Sequence, residues 1–265
     1  MGEGSFSSFA NENECLCTDL GVIEVSEAER LMSAWQSFRV AREAPDLLLI
    51  LAHPKTVAVG LRDRRASTPK DLLVSPKQLE EEGIALTRSI RGGGITYHWP
   101  GQVVCYPVLA LHPRERDVPA YMSKLEQVGI ETLSCFGLEA NRRRETAAHV
   151  GLWLDGKKIV SMGVRVSGWV TSFGFALNLE GDHRPSCYVR PCGLEGVKLT
   201  TLEEALGNAP PRPWVIEALT ASFVKVFGRN VKRIQADCVK GICSQAEPIP
   251  DAVTGSGKRT CQKPN

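Results

Sequence analysis

Apolar residues recur along this chain with two periods, and the switches between them mark out its elements. Over residues 26–43, Leu31, Trp35, Phe38 and Ala41 fall at helical spacing. Ser26 stands as the N-cap, and Glu29 three positions on completes a capping box. The unbroken run Leu47-Leu48-Leu49-Ile50-Leu51-Ala52 has the length of a buried strand. A loop, His53-Pro54-Lys55, separates it from a short apolar strand over Thr56–Leu61. A helix near Pro76–Glu82 and a strand around Ala85–Ser89 lead into a glycine-rich turn at 91–94, and a strand over Val103–Leu109 follows. The pattern then predicts a helix over 118–136 and strands at Val150–Leu154, Lys158–Val166 and Phe175–Asn178. A last helix at 213–228 opens with Pro213 in its first turn and stops at Gly228. Strands and helices mix without regular βαβ alternation, which predicts an α+β fold, a mixed sheet flanked by helices, rather than a doubly wound sheet.

The 265 residues suffice for one large core or two small ones. Residues 1–18 read as a flexible leader, 19–236 as a single domain, and 237–265 as a disordered tail rich in Lys, Ser, Gly and Pro, whose cysteines are then exposed bystanders. A net charge of +2 gives no argument for nucleic acid. Arg142-Arg143-Arg144 and the Arg62–Arg65 stretch are local basic patches, read as solvated surface. No apolar run reaches the roughly 18 residues of a membrane helix. The opening MGEGSFSSFANENE is polar and acidic, unlike a secretory or organellar targeting segment, so the expected location is the cytosol. Nine cysteines show neither a disulfide framework nor zinc-ligand spacing. Reduced thiols are the default, and a cysteine in a special setting becomes informative.

Three segments carry chemistry. In Arg91-Gly92-Gly93-Gly94-Ile95-Thr96-Tyr97-His98-Trp99-Pro100-Gly101-Gln102, consecutive glycines let a ligand lie against bare backbone, and a polar triad follows them. No Gly-Lys-Ser/Thr ending or GxGxxG spacing marks a nucleotide loop. A bare glycine triplet is better read as a flexible hairpin turn, and the polar triad followed by Pro-Gly between two apolar strands is what lifts this segment. In Asp155-Gly156-Lys157-Lys158-Ile159-Val160-Ser161-Met162-Gly163, Lys157 belongs to a hairpin turn and Lys158 enters an apolar strand, where its amine would be partly desolvated; the segment alone reads equally as carrying a surface lysine. In Arg190-Pro191-Cys192-Gly193-Leu194, Pro and Gly would present the thiol on a sharp loop. An isolated cysteine is otherwise a small buried hydrophobe. Thiolate chemistry needs a nearby cation, and the lysine of the second segment is a candidate.

Together these strings resemble the lipoyl(octanoyl) transferase family. The matches are His53-Pro54 after an apolar strand, RGGGITYHWPGQVVCYPVL, GLWLDGKKIVSMGVRV, FGFALN and RPCGLEG, in family order across residues 47–205. The resemblance implies the fold of the biotin and lipoate protein ligase catalytic domain. It places the acyl-accepting nucleophile at Cys192 and its lysine partner at Lys158. Acyl binding falls on Arg91, Gly92, Gly93, Gly94, Ile95, Thr96, Tyr97 and His98, on Ser161, Met162 and Gly163, and on Gly174, Phe175 and Ala176, with Asn178 in an Ala-Leu-Asn signature. The family usually has Gly at the position of Trp99 and His at that of Phe173.

The implied reaction passes an octanoyl group from acyl carrier protein through a Cys192 thioester to a lysine on the lipoyl domain of a 2-oxoacid dehydrogenase or the glycine cleavage H protein. It calls for no metal, nucleotide cofactor, nucleic acid or membrane. Backbone amides near Gly93, Gly163 or Gly174 are candidates for holding the oxyanion, and Ile95, Met162 and Phe175 for the walls of an apolar tunnel. Two other readings compete: an ATP-dependent lipoate–protein ligase, which needs no cysteine in a Pro-Cys-Gly loop, and a non-catalytic binder of acyl groups or carrier proteins.

Overall fold

The run Asp46–Ala52 is buried at every position, so it must lie within a sheet covered on both faces. The computed structural model of the chain describes residues 13–63, 69–143, 145, 149–190 and 196–244. In order, it forms β1 (Glu14–Val22), α1 (Val25–Val40), β2 (Asp46–Ala52), β3 (Thr56–Val59), α2 (Pro76–Glu81) and β4 (Ala85–Arg88). Then come β5 (Ile95–His98), β6 (Gln102–Val108), α3 (Val118–Ser134), β7 (Asn141–Arg142), β8 (Gly151–Leu154), β9 (Lys157–Ser167) and β10 (Val170–Asn178). The chain continues through α4 (Leu202–Leu206), α5 (Arg212–Phe227), β11 (Asn230–Arg233) and α6 (Ala236–Ser244).

Eight strands make one mixed sheet in the order β11-β1-β2-β6-β10-β9-β8-β7, and three make a small sheet, β4-β3-β5. Strand β1 pairs in parallel with both β2 and β11, while the pairs from β2 through β7 are antiparallel. One face of the large sheet packs on α3 and α5 through Leu125, Val128, Leu219 and Phe223. The other packs on α1 and α6 through Leu31, Met32, Trp35 and Val239. The small sheet has its own core of Val57, Leu79, Ile95, Tyr97 and Trp99. This is the α+β architecture expected. No helix among the described residues is long and apolar enough to cross a membrane.

Several boundaries differ from the sequence reading, each where tertiary contacts override local pattern. Strand β1 begins at Glu14, inside the expected leader, because Cys15 and Cys17 are buried and the strand is paired on both sides. Helix α6 occupies the start of the expected tail. Val239 is fully buried there, and the Cys243 thiol faces the Leu31 carbonyl at 3.6 Å. Cys243 is therefore a core residue, its thiol pushed up to about 11 by burial. The expected capping box also fails. Helix α1 starts at Val25 with Glu24 as N-cap and no side-chain cap bond. Burial of Val25 and Ala28 sets that start, and Glu29 instead accepts a long hydrogen bond, 3.5 Å, from the Ile90 N–H. Of the expected basic patches, Arg142 is bonded to the buried Glu126 at 3.1 Å, and Arg143 pairs with Glu145 and lies over Trp153.

A buried ion network ties the layers together. Asp46 accepts from Arg39 Nε at 2.7 Å and from Arg229 Nε at 2.9 Å, and Arg229 also reaches Glu115 at 2.9 Å. Burial alone would raise the Glu115 carboxyl, but the Arg229 hydrogen bond and charge hold it at about 2. Removing one partner leaves the others buried and uncompensated, so Arg229→Met should lower urea-measured stability by about 3 kcal/mol or more. A loss below about 1 kcal/mol would show that Arg39 and water replace it.

Candidate active site

The glycine-rich segment between β4 and β5 is held by its own carbonyls. The N–H groups of Gly60, Leu61 and Arg62 donate to the carbonyls of Gly94, Arg91 and Gly93 at 3.1, 2.9 and 3.1 Å. Arg91 folds back over the loop, giving Nη1 to the Gly92 carbonyl at 2.7 Å and Nη2 to the Gly94 carbonyl at 2.8 Å. This requires a bare position on β9, because a Cβ at Gly163 would sit 2.6 Å from Arg91 Nη1. The Gly92 N–H donates to the Val164 carbonyl at 3.2 Å, so the loop lies flat against β9. Gly163 in turn pairs with Gly174 on β10, and any side chain at Gly174 would strike the Cys105 carbonyl of β6.

Beside these glycines lies a cavity of about 370 Å³. Ile95, Val150, Met162 and Phe175 give it apolar walls. The buried His98 and Tyr106 reach its interior, and the half-exposed Arg62 stands at its opening. Of the residues expected to bind acyl, Arg91, Gly93, Gly94, Ile95, Thr96, His98, Ser161, Met162, Gly163, Gly174, Phe175 and Ala176 line this one space. Gly92 and Tyr97 do not. Gly92 is spent on β9, and Tyr97 belongs to the small-sheet core, stacked on Trp99 with ring centroids 5.6 Å apart. Arg62, Tyr106 and Val150 were not anticipated. Arg62 registered only as part of a basic patch, Tyr106 lies in a strand that reads as pure core, and Val150 carries no sequence signal.

The polar interior is a chain of directed hydrogen bonds. A carbonyl only accepts, so the Thr200 carbonyl requires the Asn178 amide to donate to it, at 2.9 Å. Asn178 Oδ1 then accepts from Gln102 Nε2 at 3.0 Å, and Gln102 Oε1 accepts from His98 Nδ1 at 2.8 Å. His98 thus carries its proton on Nδ1. By the same logic His53 donates Nδ1–H to the Ile23 carbonyl at 2.7 Å, leaving Nε2 to accept from the Tyr106 hydroxyl at 3.1 Å. The two imidazoles meet edge to face with centroids 5.0 Å apart. Burial drives both toward the neutral form. His53 falls to about 4 against the opposing pull of its Ile23 bond, and His98 falls well below its ordinary value, with the neighbouring His53 adding to the effect.

Lys158 is buried on β9, at a bulge opposite Trp153, with Nζ 5.6 Å from the indole centroid. Its aliphatic chain runs past Gly151, where an added Cβ would lie 2.8 Å from Cε. Its N–H donates to the Lys198 carbonyl at 2.8 Å, and its carbonyl accepts from the Thr200 N–H at 3.0 Å. Lys158 is not among the cavity-lining residues, although Ser161, Met162 and Gly163 of the same strand are. Cys192, with Pro191, Gly193 and Leu194, lies outside the described residues. The chain before it is bonded through the Arg190 N–H to the Asp71 carbonyl at 2.8 Å, and the chain after it is bonded to Lys158. Where the resembling family carries His, Phe173 adopts a left-handed φ of 59°. That turn takes its ring behind Tyr106, edge on at 5.7 Å and off the cavity lining.

Residues 26–224 match the family model described as the lipoyl protein ligase A/B catalytic domain. An octanoyltransferase of Solibacter usitatus is 39% identical over 80% of this chain and 93% of its own length. One from Caldicellulosiruptor saccharolyticus is 33% identical over 84% of this chain and 93% of its own. Among solved structures, lipoate-protein ligase A bound with ATP superposes with a TM-score of 0.69, at 14% identity, covering 88% of this chain and 93% of that one. The putative lipoate protein ligase Ta0514 of T. acidophilum with bound lipoic acid gives 0.67 at 14% identity, covering 88% and 93%. These two likenesses establish the fold.

The neutral imidazoles make stability depend on pH. An unfolded histidine titrates near its free value, 6.5, whereas folded His53 resists protonation until about 4. Between those values the unfolded chain binds the extra proton, so stability falls as pH drops, by at most about 1.4 kcal/mol per pH unit for each group. Urea midpoints measured from pH 7 to 5 should decline, and His53→Gln should flatten the slope. An unchanged slope in that variant would remove His53 from the linkage.

Proposed function

We propose, from the premise that this chain belongs to the lipoyl protein ligase A/B catalytic-domain family and within it to the octanoyltransferases, that it works through a Cys192 thioester. Its overall reaction is transfer of an octanoyl group to a protein lysine, the acyl transfer that begins protein lipoylation. The observation that carries the thioester reading is the backbone attachment of Lys158 to residues 198–200, the stretch that follows the Cys192 loop. That attachment joins the amine-bearing strand to the chain a few residues beyond Cys192, and Ser161, Met162 and Gly163 of the same strand line the cavity.

In the first step the Cys192 thiolate attacks the octanoyl thioester carbonyl of a carrier protein. A new C–S bond forms, the carrier's C–S bond breaks, and the carrier sulfur leaves as thiol, taking the proton of the Lys158 ammonium and leaving that amine neutral for the second step. One thioester replaces another, so this step needs activation more than driving force. The Lys158 ammonium supplies it by favouring the thiolate. In the second step the amine of a lipoyl-domain lysine attacks the acyl-cysteine carbonyl, the C–S bond breaks, and an amide forms. The amine's proton passes to neutral Lys158 and the Cys192 thiolate is regenerated. Amide formation makes the step downhill. Main-chain N–H groups near Gly93, Gly163 and Gly174 are the donors proposed for the oxyanion. The Gly92 N–H is excluded from that role because Val164 takes it.

The acyl chain lies along Ile95, Val150, Met162 and Phe175. Each buried methylene contributes about 0.8 kcal/mol, enough to favour eight carbons over much shorter chains. A neutral floor of His98, held by Gln102, and Tyr106, held by His53, places no charge beneath it.

Incubation with octanoyl carrier protein should give a hydroxylamine-labile octanoyl adduct in intact-mass analysis that vanishes in Cys192→Ser. Octanoyl-AMP formed from ATP and free octanoate, with no such adduct, would instead establish a ligase. Lys158→Ala should slow single-turnover acylation about a hundredfold or more while the melting temperature stays within a few degrees. Unchanged kinetics would take Lys158 out of the mechanism.

A further inference from the structure

Arg62 stands between two carboxylates that are almost fully buried. Its Nη2 is 2.8 Å from Asp71 Oδ2 and its Nε 3.3 Å from Asp63 Oδ2, with the two aspartate side chains 5% and 8% exposed. The guanidinium occupies the space a side chain at Gly94 would need, with Cζ 2.6 Å from the position of that Cβ. Its own N–H is bonded to Gly93. Arg62 is thus fastened to the glycine loop by main chain and by shape, and it lines the cavity opening.

Asp71 faces the other way. Its carbonyl accepts the Arg190 N–H at 2.8 Å, Leu73 donates to the Tyr188 carbonyl at 2.8 Å, and Leu72 bridges Val189. Residues 71–73 and 188–190 therefore form a short ladder whose far end is the residue before Pro191-Cys192. The Arg62–Asp71 pair is a side-chain link between that ladder and the glycine loop. Two buried carboxylates without their shared cation would be driven toward water, and Asp71 cannot move without the chain bonded to it.

We propose that the Arg62–Asp71 pair is a positioning clamp, holding residues 188–190 and with them the approach to Cys192 against the rim of the acyl cavity, so that both residues serve acylation through placement rather than through contact with substrate. The proposal rests on the reading of Cys192 as nucleophile. Placement is a sensitive quantity, because a displacement of about 1 Å can cost on the order of a hundredfold in rate.

The test uses the full-length protein with octanoyl carrier protein and compares Arg62→Met, Asp71→Ala and the double variant, with Arg62→Lys and Asp71→Asn as milder changes should the first pair melt early. Three readouts are taken: the single-turnover rate of Cys192 acylation, the KM for the donor, and the rate of Cys192 alkylation by iodoacetamide, which reports thiol placement without any acyl substrate. Each single variant should slow acylation about tenfold or more, with donor KM within twofold and alkylation shifted in parallel. The double variant should be no worse than the slower single, because both changes break the same link. Arg62→Lys should recover part of the rate.

Multiplying losses in the double variant would overturn the clamp, as would wild-type acylation in Asp71→Ala. A raised KM with intact maximal rate in Arg62→Met would make Arg62 a substrate contact instead. If the unaltered protein takes no adduct at Cys192, the thioester reading itself falls and the clamp with it. An adduct formed at undiminished rate in Asp71→Ala removes the clamp alone.

Discussion

The hydrogen bond from the Asn178 amide to the Thr200 carbonyl sets the direction of the polar chain that runs through Gln102 to His98 beneath the cavity. A main-chain carbonyl has no choice of role, so Asn178, Gln102 and His98 each fall into one orientation and one protonation state. Asn178, Gln102 and His98 are all buried, and any one of them removed would strand its neighbours without a partner, at about 1–3 kcal/mol apiece. The same amide also approaches the Lys158 carbonyl at 3.4 Å. The apolar cavity, the neutral floor and the lysine strand are therefore parts of one bonded unit.

Glycines supply the complementary constraint from above. At Gly92, Gly163 and Gly174 the absent side chains let a loop lie on β9 and let β10 close on β6. Arg91 fills part of the space so created and satisfies two loop carbonyls with one guanidinium. A ligand entering here meets walls whose shape is fixed by backbone contact rather than by rotamer choice.

Much of this was legible in the residue order. The family resemblance of the strings that hold them groups the glycine triplet, the Thr96-Tyr97-His98 run and the Ser161-Met162-Gly163 strand, and the cavity gathers nearly all of them. What escaped were residues whose role depends on distant partners. Tyr106 is indistinguishable from core until His53 is placed against its hydroxyl. Arg62 reads as a surface charge until the fold delivers Asp71 to it. Tyr97 stands apart from the cavity because strand alternation turns it away from the neighbours flanking it in sequence. Strand β1 and helix α6 went unread because pairing and packing, not their own pattern, hold them.

The parallel alignment of β1 with β11 joins residues near opposite ends of the described chain, Glu14 with Asn230 and Cys17 with Arg233. During synthesis on the ribosome, the outer edge of β1 therefore has no mate until more than two hundred residues later have emerged. The nascent protein carries an open β-edge until β11 has emerged, because contacts of such long sequence separation form late.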